Sequence, residues 1–277
     1  VSLVSEAELA QKEPLATTHD AALFSPETGV VDPKAIMQAL KAELLATGDV
    51  EILTNTRYLG RETDGVIHCT KGQIRYEYFI NAAGGQAIEV AHDFDQGLDY
   101  QFLPFKGVYK QLSGDVASQI RHHIYPVPDL KFPFLGVHFT KSVGDTVWVG
   151  PTAIPALSAE NYKGLQGLSP DTLRILGTEA RMFLQNKSFR SLAMRELCRY
   201  YPKYFYEEAK TLVPSLPPSA YLSSDKAGIR PQLIRKGSGE LVMDFCSVQS
   251  ESELHILNAI SPAFTAAPAF ADAWVAA

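Results

Sequence analysis

The stretch that decides the fold runs from His123 to Pro151 and reads HIYPVPDLKFPFLGVHFTKSVGDTVWVGP. Bulky side chains alternate with small or polar ones over residues 134–140, a turn signal follows at 143–145, and residues 146–149 are β-branched or aromatic. This pattern predicts a β-hairpin. His138 lies in its first strand, where an imidazole that titrates near neutrality is either a packed core group or a working acid or base.

Upstream of the hairpin, two further segments have clear local signals. Asp32 and Pro33 predict a helix start, with Asp at the N-cap and Pro at the first helical position. Residues 79–85, FINAAGG, predict a strand that ends in small residues and a helix. Such a turn lets the backbone approach a phosphate closely, although a tight turn without any ligand accounts for the same residues.

Composition excludes several classes of protein. The formal net charge of −6 lacks the broad basic footprint of nucleic-acid-binding proteins. The three cysteines have neither disulfide-framework nor zinc spacing, so we expect free thiols in a reducing, cytoplasmic setting and no metal site. We find no apolar run of membrane-spanning length and no secretory signal at the N-terminus.

The amino-acid sequence of the hairpin stretch, IYPVPDLKFPFLGVHFT followed by VWVGP, resembles the corresponding stretch of the L-2-hydroxyglutarate oxidase/dehydrogenase family. These are FAD-dependent flavoproteins of the D-amino-acid-oxidase-like superfamily. Five shorter segments extend the resemblance along most of the chain. They are PETGVVD at 26–32, NAAG at 81–84, the P-basic-G-x-Y pattern of Pro104, Lys106, Gly107 and Tyr109, and the GIR and LNAISPAFT segments at 228–230 and 257–265.

The resemblance implies a mixed α+β and α/β fold with two functional domains. We expect residues 30–95 and 225–277 to form an incomplete, discontinuous FAD-binding domain. Residues 1–29 and 96–224 are expected to form a substrate domain, with a mixed or antiparallel sheet and flanking helices. Pro268 is expected to kink or end the last helix.

The resemblance also implies oxidation of a small dicarboxylate, L-2-hydroxyglutarate, to 2-oxoglutarate by hydride transfer to flavin N5. His138 is our candidate base and Arg230 our candidate carboxylate clamp. Tyr109, Tyr125 and Lys106 are further candidates for the hydroxyl or the distal carboxylate. His122 and His123 are a rival pair of bases, and adjacent strand positions let one of the two face a site. The residues expected at the cofactor are Ala83, Gly84, Gly85, Gly228, Ile229, Asn258, Ser261 and Pro262.

The G-x-G-x-x-G fingerprint of dinucleotide binding is absent, so the sequence resembles the C-terminal two-thirds of the family. We therefore expect weak FAD binding or none by this chain alone, with the missing segment removed or on a separate N-terminal polypeptide. Oxygen or a quinone is the expected electron acceptor, and peripheral contact with the inner membrane stays open. The alternatives are an amine oxidase of the glycine or sarcosine type and a non-catalytic dicarboxylate-binding module.

Overall fold

The computed structural model describes residues 1–63, 65–128, 135–164, 171–199 and 201–275. The strands are β1 (Ser2–Ser5), β2 (Ala21–Phe24), β3 (Tyr58–Thr63), β4 (Val66–Cys69), β5 (Gly72–Arg75), β6 (Phe79–Asn81), β7 (Tyr100–Val108), β8 (Lys110–Leu112), β9 (His138–Lys141), β10 (Val147–Gly150), β11 (Ile154–Pro155), β12 (Tyr221–Leu222), β13 (Ala227–Arg235), β14 (Cys246–Gln249) and β15 (Glu253–Asn258). The helices are α1 (Glu6–Lys12), α2 (Pro33–Ala46), α3 (Ala87–His92), α4 (Gly114–Ala117), α5 (Asp171–Gln185), α6 (Lys187–Arg199), α7 (Pro202–Lys210) and α8 (Ala263–Val275).

Local sequence signals account for the first two helices. The Ser5 hydroxyl and the Glu8 carboxylate form a reciprocal capping box at the start of α1. The Asp32 carboxylate accepts hydrogen bonds from the backbone N–H groups of Lys34 and Ala35, at 2.8 and 3.4 Å, and Pro33 occupies the first turn of α2. Such caps stabilise a helix by about 1 kcal/mol. The predicted start of α2 is confirmed.

One compact unit comprises Val1–Ile52, Lys106–Pro155 and Phe183–Ile229. Its main sheet has the strand order β12-β8-β10-β9, with antiparallel pairing throughout. The β9–β10 pair is the predicted hairpin, which is confirmed, and within the described residues its first strand begins at His138, after residues 135–137. Residues 129–134 of the quoted stretch lie outside the described residues.

The two faces of this sheet differ in composition. One face, the core face, packs on α7. Its side chains are completely or almost completely buried, and they include Leu112, Phe139, Val147 and Val149. Alternate residues point to opposite faces of a sheet, so the residues between them share the other face. We call this second surface the open face, and its half-buried members are Gln111, His138, Thr140 and Trp148.

The second unit comprises Leu53–Phe105, Ala156–Met182 and Arg230–Ala277. It contains the antiparallel sheet β3-β4-β5 and the sheet β14-β15-β6, in which β15 and β6 run parallel. Helix α3 follows β6 and buries Ile88 and Ala91 in a cluster with Leu233 and Leu257. Parallel and antiparallel pairings together confirm the predicted mixed fold.

A further sheet has the strand order β11-β7-β13. The compact units divide the chain at other positions than the functional domains expected from the sequence. The compact units reflect contacts within the chain, whereas the expected domains were divided by whether they bind FAD or the substrate. The division into an FAD-binding domain and a substrate domain therefore stays a prediction.

The structure differs from the sequence predictions in one segment and narrows them in another. The sequence VEILTNTRYL predicts a strand over residues 50–59, but residues 50–57 have no strand assignment and β3 begins only at Tyr58. Helix α8 does not end at Pro268 but continues to Val275. The rings of Phe245, Phe270 and Trp274 stack beyond the proline, with centroids 3.7 and 5.3 Å apart for successive pairs, and this packing holds the second half of the helix.

Candidate functional site

His138 lies on the open face, and among the described residues only one of its two ring nitrogens has a hydrogen-bond partner. Its Nδ1 is 2.9 Å from the carbonyl oxygen of Gly136. A carbonyl can only accept a hydrogen bond, so Nδ1 carries the proton of the neutral ring and Nε2 keeps a lone pair. Burial lowers the pKa of His138 below its usual 6.5, and the Gly136 carbonyl acts in the opposite direction. The ring is therefore neutral near pH 7 and can accept a proton at Nε2.

Tyr125 covers the His138 ring, with centroids 4.6 Å apart and planes 32° apart. The backbone places it there, because Ile124 exchanges hydrogen bonds of 3.0 and 2.9 Å with Phe139. His123, on the other side of Ile124, accepts a hydrogen bond at Nδ1 from the backbone N–H of Lys141 at 3.1 Å. Of the two rival histidines, His123 thus lies beside Tyr125, with ring centroids 6.1 Å apart.

His122 is tied to a buried carboxylate instead. Glu13 Oε2 accepts hydrogen bonds from the backbone N–H groups of Arg121 and His122, both at 2.8 Å, and lies 3.2 Å from His122 Nδ1. The Glu13 side chain is 4% exposed, so it fixes the segment that leads into Tyr125. His122 is a structural partner rather than a member of the open face.

Tyr109 belongs to the open face because its ring contacts Gly150, the residue paired with His138. A Cβ at Gly150 would lie 3.1 Å from Tyr109 Cδ1 and 2.8 Å from the Val108 carbonyl oxygen, and Gly150 has φ +140°. Only glycine allows this close approach without strain. Burial, with a smaller contribution from Tyr125, raises the pKa of Tyr109, so its phenol stays protonated and can donate a hydrogen bond.

Sequence reasoning missed two members of the site, Trp148 and Lys226. The Lys226 ammonium lies 4.3 Å from the centroid of Trp148 and 5.1 Å from that of Tyr109. Both distances are within the range of cation–π contacts. No local signal could find this contact, since the lysine lies far along the chain from both rings.

Lys106, Gly228 and Ile229 lie on the two long strands of the sheet β11-β7-β13. Lys106 is half-buried in β7, and its ammonium has no polar partner among the described residues. Gly228 and Ile229 begin β13, and a Cβ at Gly228 would meet open space. These three roles stay predictions.

Arg230 follows in β13 and belongs to the second unit. Its side chain is half-buried, and burial lowers the pKa of the guanidinium. The candidate clamp Arg230 lies in the second unit, whereas the candidate base His138 lies in the first. That the two residues act on the same substrate therefore stays a prediction.

In the second unit, Asn81 fixes the turn that holds Ala83, Gly84 and Gly85. Its amide nitrogen donates to the Ala87 carbonyl at 2.7 Å, and its amide oxygen accepts from the Ala83 N–H at 3.2 Å. Gly84 has φ +57°, in the left-handed region, and a Cβ there would meet open space. The turn therefore presents bare backbone, as the sequence predicted.

A buried histidine that the sequence analysis passed over supports this turn. His255 on β15 is fully buried, and its Nδ1 is 3.1 Å from the amide nitrogen of Asn81. Its Nε2 is 3.6 Å from Glu253 Oε2, a distance too long for a strong hydrogen bond. The ring packs edge-on against Phe94. His255 lies two residues before the closing motif at 257–265, so its position next to that motif was the available signal.

A cavity of about 400 Å³ lies in the second unit, beside the same turn. Gly84 and Asn258 line it, together with Ala82 and the stacked rings of Phe245 and Phe270. The Asn258 amide nitrogen donates to the Asp244 carbonyl at 2.6 Å, so this side chain also anchors the chain next to Phe245. Ser261 and Pro262 lie just before α8, whose residues form one wall.

The lining of this cavity fits one part of FAD. Its walls are apolar or small, which suits a planar ring system of the isoalloxazine kind. No charged side chain lies among the described lining residues, and a pyrophosphate requires cations or a helix N-terminus with free backbone N–H groups. The residues present therefore fit the flavin ring but not the diphosphate.

Other types of site find no support in the part of the chain that the structure describes. It contains no group of three or more His, Cys, Asp or Glu side chains that could hold a metal ion. Cys69, Cys198 and Cys246 are free, as expected. Among the described helices, none combines the length and the apolar composition needed to cross a bilayer.

Several curated proteins are similar to this chain. L-2-hydroxyglutarate dehydrogenase of Indibacter alkaliphilus is 32% identical over 249 residues, which cover 88% of this chain and 62% of that protein. The mitochondrial enzyme of that name from Homo sapiens is 30% identical, with 95% and 60% covered. The Escherichia coli K12 protein is 31% identical, with 94% and 62% covered. The chain thus spans about 60% of the length of these relatives, and the predicted family resemblance is confirmed.

Solved structures show the same fold. A dithionite-reduced L-alpha-glycerophosphate oxidase from Mycoplasma pneumoniae, with FAD bound, aligns with a TM-score of 0.57 at 20% identity, over 97% of this chain and 62% of its own. Glycine oxidase from Bacillus cereus aligns with a TM-score of 0.60 at 17% identity, over 98% and 64%. The sequence model of the protein family DAO, which is described as FAD dependent oxidoreductase, matches residues 1–277. The chain therefore belongs to the DAO family of FAD-dependent oxidoreductases.

Proposed function

We propose that this chain is part of an FAD-dependent oxidoreductase that converts L-2-hydroxyglutarate to 2-oxoglutarate. The observation that carries the proposal is His138, a neutral imidazole with a free Nε2 among the aromatic rings of the open face. The names of relatives at about 30% identity support the choice of substrate. FAD, when bound, supplies the acceptor for the hydride that leaves C2.

His138 removes the proton of the substrate hydroxyl in this proposal. An efficient general base needs a pKa near the working pH and an unshared lone pair that faces the substrate. The hydrogen bond from Nδ1 to Gly136 holds the ring in the required tautomer. Tyr125 limits the rotation of the ring and excludes water from one side of it.

Arg230 binds the carboxylate next to the reacting carbon. A guanidinium pairs with a carboxylate through two parallel hydrogen bonds, which fix its orientation as well as its position. Tyr109 donates a hydrogen bond to the hydroxyl or to the distal carboxylate, since its phenol stays protonated. Tyr125 and Lys106 serve as further polar contacts to the same groups.

The backbone turn and the apolar cavity of the second unit hold the flavin. Gly84 and Asn258 line the cavity, and Ala83 and Gly85 flank Gly84 in the turn. We assign Gly228, Ile229, Ser261 and Pro262 to the same cofactor. The positive end of the α8 dipole would stabilise the anionic reduced flavin.

The diphosphate and the adenosine are bound by a dinucleotide-binding segment that this sequence does not contain. The cavity has no cation among its described lining residues, and the G-x-G-x-x-G fingerprint is absent. Helix α2 supports a partner of this kind, since none of its residues is buried. Its Met37 is 55% exposed, and Leu40, Leu44 and Leu45 are 45% exposed. The purified chain should bind FAD weakly, and a stoichiometric flavin would contradict this.

The test is a single turnover in the absence of oxygen. Visible absorption is recorded with saturating FAD, L-2-hydroxyglutarate is added, and bleaching of the flavin is followed. Replacement of the base, His138→Gln, should slow bleaching by about 10²- to 10⁴-fold. His122→Gln is the matched control, because that ring is bound to Glu13 away from the open face, and it should bleach at the unmodified rate.

The products separate the alternatives. Ammonia released from glycine or sarcosine would support an amine oxidase, and dicarboxylate binding without flavin reduction would support a non-catalytic module. Hydrogen peroxide formed on admission of air would identify oxygen as the acceptor. A reduced flavin that persists in air and is reoxidised by a quinone would identify the quinone instead.

A further inference from the structure

Lys226 occupies a defined position on the open face but has no role in the function proposed so far. Its backbone is held on both sides, since its N–H donates to Ser224 Oγ at 2.9 Å and its carbonyl accepts from the Tyr109 N–H at 3.2 Å. Its ammonium lies over the rings of Trp148 and Tyr109. Lys226 is an exposed residue whose backbone and ammonium both have defined contacts, which reduces the entropy that its side chain loses when it binds a ligand.

Among the described residues, no carboxylate forms an ion pair with this ammonium. The open-face residues Gln111, His138, Thr140 and Trp148 include no carboxylate. Lys226 makes no ion pair with any residue that the structure describes. The aromatic rings shield one side of the ammonium from water, and the resulting burial lowers the pKa of Lys226.

The spacing on the sheet matches a short dicarboxylate. Trp148 and His138 lie on neighbouring strands and are offset by two residues. With strands about 4.8 Å apart and a rise of about 3.4 Å per residue, their Cα atoms are separated by roughly 8 Å. A five-carbon dicarboxylate can place its reacting carbon near one of these positions and its far carboxylate near the other.

We propose that Lys226 is a carboxylate-binding residue that recognises the far carboxylate of the substrate, and that the Trp148 and Tyr109 rings hold it in place. The proposal rests on the function proposed above, because that function supplies the dicarboxylate. It adds specificity for two carboxylates over one. Charge-assisted hydrogen bonds of this kind are stronger than neutral ones.

The test is calorimetric titration of the intact chain, which requires no flavin. The probes are 2-oxoglutarate and 2-oxobutyrate, which share the 2-oxo acid group and differ in the second carboxylate. Lys226→Met should weaken 2-oxoglutarate binding by about ten- to a hundredfold and leave 2-oxobutyrate binding unchanged. Lys226→Arg should stay within a few-fold of the unmodified chain, and thermal unfolding confirms that both variants are folded.

Lys110→Met is the matched control. Lys110 pairs with Val149 and is next to Gln111, so it points away from the open face, and its replacement should have no effect. Equal binding of 2-oxoglutarate by Lys226→Met and the unmodified chain would overturn the proposal. A loss confined to Lys106→Met would also overturn it, as would an unmodified chain that binds neither acid or both equally.

These outcomes are distinct from failure of the proposed function. If L-2-hydroxyglutarate does not reduce the flavin while 2-oxoglutarate binding still depends on Lys226, the carboxylate site stands and the reaction is wrong. If the flavin is reduced and Lys226→Met changes neither KM nor 2-oxoglutarate binding, the reaction stands and the site is wrong.

Discussion

Two strand histidines, His138 on the open face and His255 in the sheet β14-β15-β6, lie in opposite settings. Burial lowers the pKa of both rings. His138 is half-buried and has one hydrogen-bonded nitrogen, whereas His255 is fully buried between Asn81 and Glu253. A lowered pKa alone therefore does not identify a working histidine. The difference lies in access to Nε2: the Nε2 atom of His138 belongs to a half-buried ring that a ligand can reach, whereas the Nε2 atom of His255 is buried and has no hydrogen-bond partner among the described residues.

The largest expected effect is on stability, from removal of the buried ring. His255→Ala should lower the free energy of unfolding by about 3 kcal/mol, because it leaves a cavity and takes a partner from Asn81 and Glu253. His138→Ala should lower it by less than about 1 kcal/mol, since the ring is partly exposed. Urea denaturation of both variants measures the difference.

Equal losses in the two variants would break the comparison. Asn81→Ala provides a second measurement, since it removes the amide that joins the turn to His255. Its loss should be similar to that of His255→Ala, and the two losses should not add in the double variant, because the residues share one network.

A smaller effect is expected where the open face depends on close packing rather than on polar contacts. Gly150→Ala should cost about 2 kcal/mol, because φ is +140° and the new Cβ would lie 2.8 Å from the Val108 carbonyl oxygen. Gly144→Ala, in the turn of the same hairpin, is the control, since a Cβ there meets no atom within 4 Å. Comparable unfolding free energies for the two variants would show that the contact at Gly150 carries no strain.

The smallest effect is a dependence of stability on pH. Burial is the main cause that lowers the pKa of His138, the Gly136 carbonyl raises this pKa and His123 lowers it further. Burial also lowers the pKa of His255, while Glu253 raises it and Arg61 lowers it. Both pKa values are lower in the folded chain than the usual 6.5, so the unfolded chain binds more protons just below pH 6.5. Stability should therefore fall as the pH drops below 6.5, with both rings contributing in the same direction.

Urea midpoints taken about one pH unit above and one below 6.5 measure this fall. His138→Gln should remove part of the dependence, since it deletes one of the titrating rings. A free energy that does not change across this interval would contradict the assigned direction for both histidines.

Much of the fold could be predicted because its signals are local. The cap at Asp32 and the alternation on both sides of residues 143–145 are read within a few residues, and both elements form as expected. The continuation of α8 through Pro268 could not be predicted. It depends on a stack with Phe245, which is distant in sequence and outweighs the lost backbone hydrogen bond.

The candidate site shows the same limit. His138, Tyr109 and Tyr125 were predicted one at a time, from residue type and family resemblance. Their meeting on one face follows from the strand register and from the Ile124–Phe139 bridge, which the sequence does not specify. Lys226 carries no motif of its own, and only the tertiary fold places it over Trp148.

The aromatic rings of the two units have a spectroscopic consequence. The chain has two tryptophans, and Trp148 belongs to one unit while Trp274 belongs to the other. Trp148 lies under a cation, which alters the emission of an indole, and Trp274 stacks on Phe270. Replacement of either tryptophan by phenylalanine leaves one fluorophore for each unit. Coincident or separate unfolding transitions of the two emissions then reveal whether the units melt as one cooperative body.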